Sequence, residues 1–229
     1  MLAPDEIAKR LHEVRNRIAQ AATRSGRGVD AIRLVLASKT QPPDAVCAAY
    51  DAGARDFGEN YIQEASAKRL ELADLRDATW HLIGHLQSNK TRLAVKTFDI
   101  IQTLDSARVA EAIARVQPSP PMRVLIEINL GGEASKSGVA PSGVESLIDA
   151  ARDKVEIAGL MTIPPPAANA AASRRYFAEL RRLRDRLAAS SGLALSELSM
   201  GMTEDFEVAI EEGATMVRVG RAVFGERPK

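Results

Sequence analysis

A lysine ends the first short apolar stretch of the chain, Leu34-Val-Leu-Ala-Ser-Lys39. As a strand, this stretch puts Val35, Ala37 and Lys39 on one face and Leu34, Leu36 and Ser38 on the other. An amine in apolar company is driven toward its neutral form, and a neutral amine condenses with carbonyls. Two readings of Lys39 stay open here: a desolvated nucleophile, or the solvated end of a strand. Far along the chain, Ser199-Met-Gly-Met-Thr203 offers hydroxyls and close backbone approach, and Gly220 precedes a short turn, Ala222–Phe224. Backbone N–H groups at such a turn can face an anion. Ser199–Thr203 reads equally as a serine/threonine turn with Thr203 as a helix N-cap. Glu204 and Asp205, next in line, would themselves complement that helix's dipole and repel phosphate.

The elements that position these residues repeat one pattern. Apolar runs fall at 34–39, 55–59, 80–84, 100–104, 124–129, 157–163, 195–200 and 216–220. Helical periodicity lies between most of them: 44–52, 62–75, Val109 to Val116, 144–151, Tyr176 to Leu187 and 204–212. A further amphipathic helix, 4–25, precedes the first strand and closes at Ser25-Gly-Arg-Gly28. Eight strands separated by helices in 229 residues predict a single-domain (β/α)8 TIM barrel, residues 1–229, with an extra N-terminal helix. An open doubly wound sheet is the alternative, weakened by the lack of a G-x-G-x-x-G turn after the first strand. Pro164-Pro-Pro166 and the alanine-rich 167–172 read as a loop with no assigned role.

A barrel of this kind builds its site at the C-terminal ends of its strands. Polar residues and glycines gather at those ends: Lys39, Asn60, His81, Asn129, Thr162, Ser199, Arg218 and Gly220. The loops after the seventh and eighth strands commonly hold phosphate, and the eighth strand neighbours the first. A reactive lysine facing a phosphate site suits phosphorylated aldehydes and ketones, among them pyridoxal 5'-phosphate. Arg218 is then available for the pyridine nitrogen. Its fixed positive charge would keep that nitrogen unprotonated and weaken the ring as an electron sink.

Composition excludes little beyond extremes. Lysine and arginine total 31 against 30 acids, for a net charge of +1, which gives no pointer to nucleic acid or a membrane. No apolar run approaches the roughly 18–20 residues that span a bilayer, and Met1 to Arg24 lacks a signal peptide's apolar centre. The single cysteine, Cys47, fits a reducing compartment, so a cytoplasmic location is expected. His81 and His85 have no partners at metal-ligand spacing, so no metal is expected. Trp80 and Cys47 are expected in the core, and His12 on a solvated flank.

Several ordered motifs together resemble one family. They are Ala37-Ser-Lys39-Thr, Phe57–Glu64 (FGENYIQE), Trp80–Lys90 (WHLIGHLQSNK), Glu133–Gly138 (EASKSG), Gly159-Leu-Met161, Leu198–Met202 (LSMGM), and Val217–Gly220 (VRVG) with Phe224-Gly225. The sequence resembles the pyridoxal phosphate homeostasis proteins (the YggS/PROSC family). These are similar to the N-terminal barrel of alanine racemase, the fold-type III pyridoxal phosphate enzymes. The resemblance implies that Lys39 forms the internal aldimine. It implies that Ser199, the backbone around Met202 and Thr203, and Gly220 hold the phosphate. Arg218 would meet the pyridine nitrogen, and Asn60 and His81 would line the pocket beside the ring. The alanine-rich loop departs from a more acidic family segment.

The same resemblance implies a cofactor carrier that buffers pyridoxal phosphate and hands it to apo-enzyme clients, with no catalytic residue of its own. The alternative is an amino-acid racemase or another α-proton-transfer enzyme. That chemistry needs a second acid/base opposite the lysine. Alanine racemase takes a tyrosine from a C-terminal β-domain of a partner subunit, and no such domain follows strand eight before Lys229. Of Tyr50, Tyr61 and Tyr176, only Tyr61 lies near a catalytic-end loop. A Schiff-base aldolase is the third class considered. The basic face of Arg174, Arg175, Arg181, Arg182 and Arg184 reads as a solvated helix face, with client binding as the other reading. A monomer is expected.

Overall fold

Eight short strands alternate with helices and close on themselves. In order they are β1 (Arg33–Ala37), β2 (Asp56–Glu59), β3 (Thr79–Leu82), β4 (Ile100–Leu104), β5 (Arg123–Glu127), β6 (Glu156–Met161), β7 (Glu197–Ser199) and β8 (Met216–Val219). Each pairs in parallel with its sequence neighbour, and β8 returns to β1 with Val35 beside Arg218. The helices are α1 (Pro4–Arg24), α2 (Pro43–Asp51), α3 (Ile62–Glu71), α4 (Thr91–Thr97), α5 (Ala107–Ala114), α6 (Val144–Ala151), α7 (Ala170–Ser191), α8 (Phe206–Glu211) and α9 (Arg221–Phe224). This computed structural model describes residues 2–133 and 136–226. Ala134 and Ser135 of the Glu133–Gly138 motif therefore lie outside the described residues. The expected (β/α)8 barrel with an added N-terminal helix is the observed fold.

The alternation of side chains sorts each strand into two faces. Outward residues such as Leu36, Phe57, Trp80, Ile101, Val124, Leu160, Leu198 and Val217 form one core with the helices, within which Phe57 and Trp80 stack at 5.6 Å. Inward residues Val35, Leu125, Ala158, Met161 and Met216 fill a second, smaller core inside the barrel. The barrel is a packed interior with a site at its mouth, and no pore runs through it.

The extra helix seals the seam where the chain's first and last strands meet. Ile7, Leu11, Val14 and Ile18 of α1 are buried, at the spacing that puts them on one stripe. Arg15 donates to the carbonyls of Ala52 and Gly53 at 3.0 and 2.7 Å, just past α2, and Arg27 donates to Ala214 O at 2.7 Å, after α8. Cations at helix C-termini complement the carbonyls that have no intrahelical partner. Arg17 pairs with Glu207 and Arg24 with Glu211. Among the described residues no helix is long and apolar enough to cross a membrane.

Several boundaries differ from the periodicity. Helix α4 is absent from the sequence expectation: in TRLAVKT only Thr91, Ala94 and Thr97 are buried, so no apolar stripe announces it. Helix α7 begins inside the alanine patch, because the Asn169 side chain accepts from Ala172 N–H at 3.0 Å and caps a start that the prolines do not reach. Helix α8 starts at Phe206 rather than 204, since the Asp205 carboxylate takes Met202 N–H at 2.8 Å and holds the preceding turn. The basic face of α7 is partly engaged within the molecule: Arg174 pairs with Glu211 and Glu212, and Arg181 with Glu212. Cys47 is half-buried against the main core and Trp80 is fully inside it.

Candidate functional site

Lys39 sits two residues beyond the end of β1, on the inward face that it shares with Val35 and Ala37. The residues on either side are clamped. Ser38 Oγ donates to Glu59 Oε1 at 2.8 Å, and the Lys68 ammonium donates to Ser38 O at 2.9 Å. Thr40, at φ 64°, donates its N–H to Glu64 Oε1 at 2.7 Å. Lys68 joins the two carboxylates, 2.6 Å from Glu59 and 3.1 Å from Glu64. Four polar side chains outside the barrel thus fix the backbone that presents Lys39 inside it. Burial raises the Glu59 pKa, and the neighbouring Lys68 cation opposes that rise.

A cavity of about 1050 Å³ opens at this end of the barrel, at the upper end of the range for small-molecule sites. Lys39, Asn60, Met202, Thr203, Arg218 and Gly220 all line it. Its far wall is the loop Pro164–Ala170, the segment to which the sequence assigned no role. Asn60 is brought in by a close crossing of two loops: a Cβ on Gly84 would fall 2.3 Å from Asn60 O. The buried Asn60 Oδ1 has no hydrogen-bond partner in the protein. Gly220 is a similar case, since a Cβ there would stand 3.0 Å from Ala37 O, beside Lys39. It is the residue before α9, whose first N–H groups have no intrahelical acceptor.

Two expected site residues lie below the cavity instead. Ser199 and His81 are fully buried and do not line it. The Ser199 hydroxyl accepts from Arg218 Nη1 at 2.6 Å and donates to Gln102 Oε1 at 2.6 Å. His81 Nδ1 meets Gln102 Nε2 at 2.9 Å and its Nε2 meets Asp56 Oδ1 at 3.0 Å. Met202 lines the cavity, but its backbone N–H is taken by Asp205. Gly220 O accepts from the N–H groups of Val223 and Phe224, both at 2.9 Å, which leaves the N–H groups of Thr203 and Gly220 as the donors that could turn to a phosphate.

Arg218 is buried with its guanidinium against the cavity, and donates to Ser199 Oγ and to Thr162 O at 2.9 Å. Burial pushes its pKa down to about 10, so it remains cationic at neutral pH. The carboxylates that oppose this fall are Glu127, inward on β5 across the barrel from β1, and Asp205. Burial, with Asp105 adding repulsion, raises the Glu127 carboxyl to about 7 against the pull of Arg218. Sequence reasoning missed Glu59, Glu64, Lys68, Gln102 and Glu127. Glu59 and Glu64 fall in a motif already singled out; Gln102 and Glu127 share the inward faces of β4 and β5, a signal that alternation alone could have raised. Among the described residues no group of three His, Cys, Asp or Glu is arranged to hold a metal ion.

Comparison with known proteins gives a consistent picture. Residues 10–228 match the model of the alanine racemase N-terminal domain. The pyridoxal phosphate homeostasis protein of Pseudomonas aeruginosa is 45% identical over 225 residues, covering 96% of each chain. The solved structure of PipY from Synechococcus elongatus PCC7942, with PLP bound, is 38% identical with a TM-score of 0.85, covering 96% of this chain and 100% of that one. Alanine racemase from Corynebacterium glutamicum, 21% identical with a TM-score of 0.73, shares the fold over 98% of this chain and 62% of its own. In sequence end to end, and in fold, the chain belongs to the pyridoxal phosphate homeostasis protein family, within the larger alanine racemase N-terminal domain family.

Proposed function

We propose that this chain binds pyridoxal 5'-phosphate in the cavity as a Schiff base on Lys39, buffers it, and delivers it to apo-enzymes without turning over a substrate. The observation that carries this reading is the meeting of Lys39, Asn60, Thr203, Arg218 and Gly220 around one cavity. The residues fit the group. An inward amine suits the aldehyde, an orphaned Asn60 amide oxygen awaits a partner, and Gly220 leaves room for backbone to approach a phosphate. Bound there, the cofactor supplies a carbonyl for condensation and a ring that withdraws electrons.

The chain's own residues favour holding over turnover. Arg218 keeps its protons and presents N–H donors, so a ring nitrogen held against it would stay unprotonated. Tyr61, the tyrosine nearest this end, is 57% exposed, which suits a rim residue better than a buried base opposite Lys39. The relatives carry the name of homeostasis proteins, which supports the same reading. We further read the protein as a cytoplasmic, single-domain monomer whose partners are pyridoxal phosphate-dependent apo-enzymes.

A proton-exchange experiment separates carrier from catalyst. The loaded protein is incubated with single L-amino acids in D₂O, and the α-proton is followed by NMR beside free cofactor and Lys39→Ala. A carrier shows no exchange above either control, while the loaded protein restores activity to an apo-enzyme. Exchange above both controls, or appearance of the D-isomer, overturns the reading in favour of a racemase-like enzyme.

A further inference from the structure

Beneath the cavity, four buried side chains and one partly exposed carboxylate form a single hydrogen-bonded line from the top of the barrel to its floor. Arg218 Nη1 meets Ser199 Oγ at 2.6 Å, Ser199 Oγ meets Gln102 Oε1 at 2.6 Å, Gln102 Nε2 meets His81 Nδ1 at 2.9 Å, and His81 Nε2 meets Asp56 Oδ1 at 3.0 Å. His81, Gln102 and Ser199 are wholly buried, and Arg218 is 4% exposed. Asp56 opens β2 at the opposite end of the barrel, where Arg33 Nε lies 3.5 Å from the same oxygen.

The direction of every proton in this line follows from its two ends. A guanidinium only donates, so Ser199 Oγ accepts from Arg218 and must spend its own proton on Gln102. An ionised carboxylate only accepts, so His81 Nε2 carries a proton for Asp56, and a neutral ring then leaves Nδ1 as an acceptor. Gln102 is the one member that can serve both halves, with its amide oxygen toward Ser199 and its NH₂ toward His81. The Ser199 end requires this amide orientation, and a neutral His81 requires the same one.

We infer that Gln102 is a positioning residue for Arg218: it holds Ser199 in the one orientation that aims the guanidinium's remaining donors at the cavity, and it holds His81 as the Nε2–H tautomer. This rests on the reading that the cavity takes pyridoxal phosphate, with Arg218 at the ring nitrogen. A leucine at this position leaves the Ser199 hydroxyl proton and His81 Nδ1 without partners. A glutamate keeps an acceptor for Ser199 and, as the neutral acid, an O–H donor for His81 Nδ1.

The test has one arm without cofactor and one with it. In the apo protein, 15N NMR of His81 is expected to show protonated Nε2 and unprotonated Nδ1; an Nδ1–H tautomer overturns the inference. In the second arm, Gln102→Leu is expected to bind pyridoxal phosphate about tenfold more weakly, with a displaced visible absorption band, for the loss of one to two buried hydrogen bonds. Gln102→Glu is expected to keep near-native affinity, because the neutral acid reproduces both the acceptor toward Ser199 and the donor toward His81. A purely structural role reverses that order, because an apolar residue of similar size is easier to bury than a carboxylate. Native affinity and spectrum in Gln102→Leu overturn the inference. Should that variant not fold, Ser199→Ala carries the same expectation for Arg218 and the same contrary result. Failure of the native protein itself to attach the cofactor at Lys39 would instead strike the proposed function, and the His81 tautomer would still judge the line's direction.

Discussion

Lys68→Met is expected to lower the unfolding free energy by about 3–5 kcal/mol, the usual cost of stranding one member of a buried ion pair. Lys68 is 4% exposed and Glu59 not at all, and they meet at 2.6 Å. One carboxylate oxygen of Glu59 already lacks a partner, so Lys68 and Ser38 supply its compensation. Without the ammonium, burial drives the Glu59 pKa further above its unfolded value. The native folded carboxyl, whose pKa is raised less, ionises first, so the deficit grows as pH rises from the native folded pKa toward the variant's higher one. Urea unfolding at pH 5 and pH 8 is expected to show the larger loss at pH 8. Lys68→Met combined with Glu59→Gln is expected to recover part of it. The loss also reaches the site, because the same ammonium holds Ser38 O beside Lys39. A loss under 1 kcal/mol at both pH values would mean that the clamp is not an energetic feature of the fold.

Glu127→Gln is expected to act in the opposite direction and only at higher pH. The carboxyl sits at about 7 in the folded protein against 4.5 unperturbed, because burial disfavours its charge. Between those values the folded state binds a proton that the unfolded state releases, so stability falls as pH rises through this window and levels off above it. The full shift corresponds to about 3 kcal/mol, of which roughly 2–3 kcal/mol falls between pH 5 and pH 8. Glutamine cannot ionise, so the variant is expected to lose that slope and to gain on the native protein at pH 8. Part of the gain is offset by removing the charge that faces Arg218. Parallel stability–pH curves for the two proteins would contradict the assignment of a buried, titrating Glu127.

Much of the barrel was legible because parallel strands covered by helices announce themselves as short apolar runs between amphipathic stretches. The face of β1 was legible too, since period two alone places Lys39 with Val35 and Ala37, and Val35 belongs to the interior core. What stayed hidden depends on partners distant in sequence. The hydrogen bonds of the Ser199 hydroxyl to Arg218 and Gln102, 19 and 97 residues away, carry no local signal. Lys68 gives no sign of its place in the sequence, yet it is buried beneath the end of β1 against a carboxylate from β2. The stretch Pro164–Asn169 reads locally as a loop and nothing more; its place along the cavity comes from the fold. Helix α4 escaped because the residues it buries include two threonines.

The most direct test of the central claim is to trap the attachment. The protein is loaded with pyridoxal 5'-phosphate, reduced with borohydride, digested, and the modified peptide identified by mass. The expected result is one cofactor per chain on the peptide carrying Lys39, and none after the same treatment of Lys39→Ala. Modification confined to another lysine, or a protein that binds the cofactor yet yields no reduced adduct, would contradict the placement of Lys39 at the centre of the site.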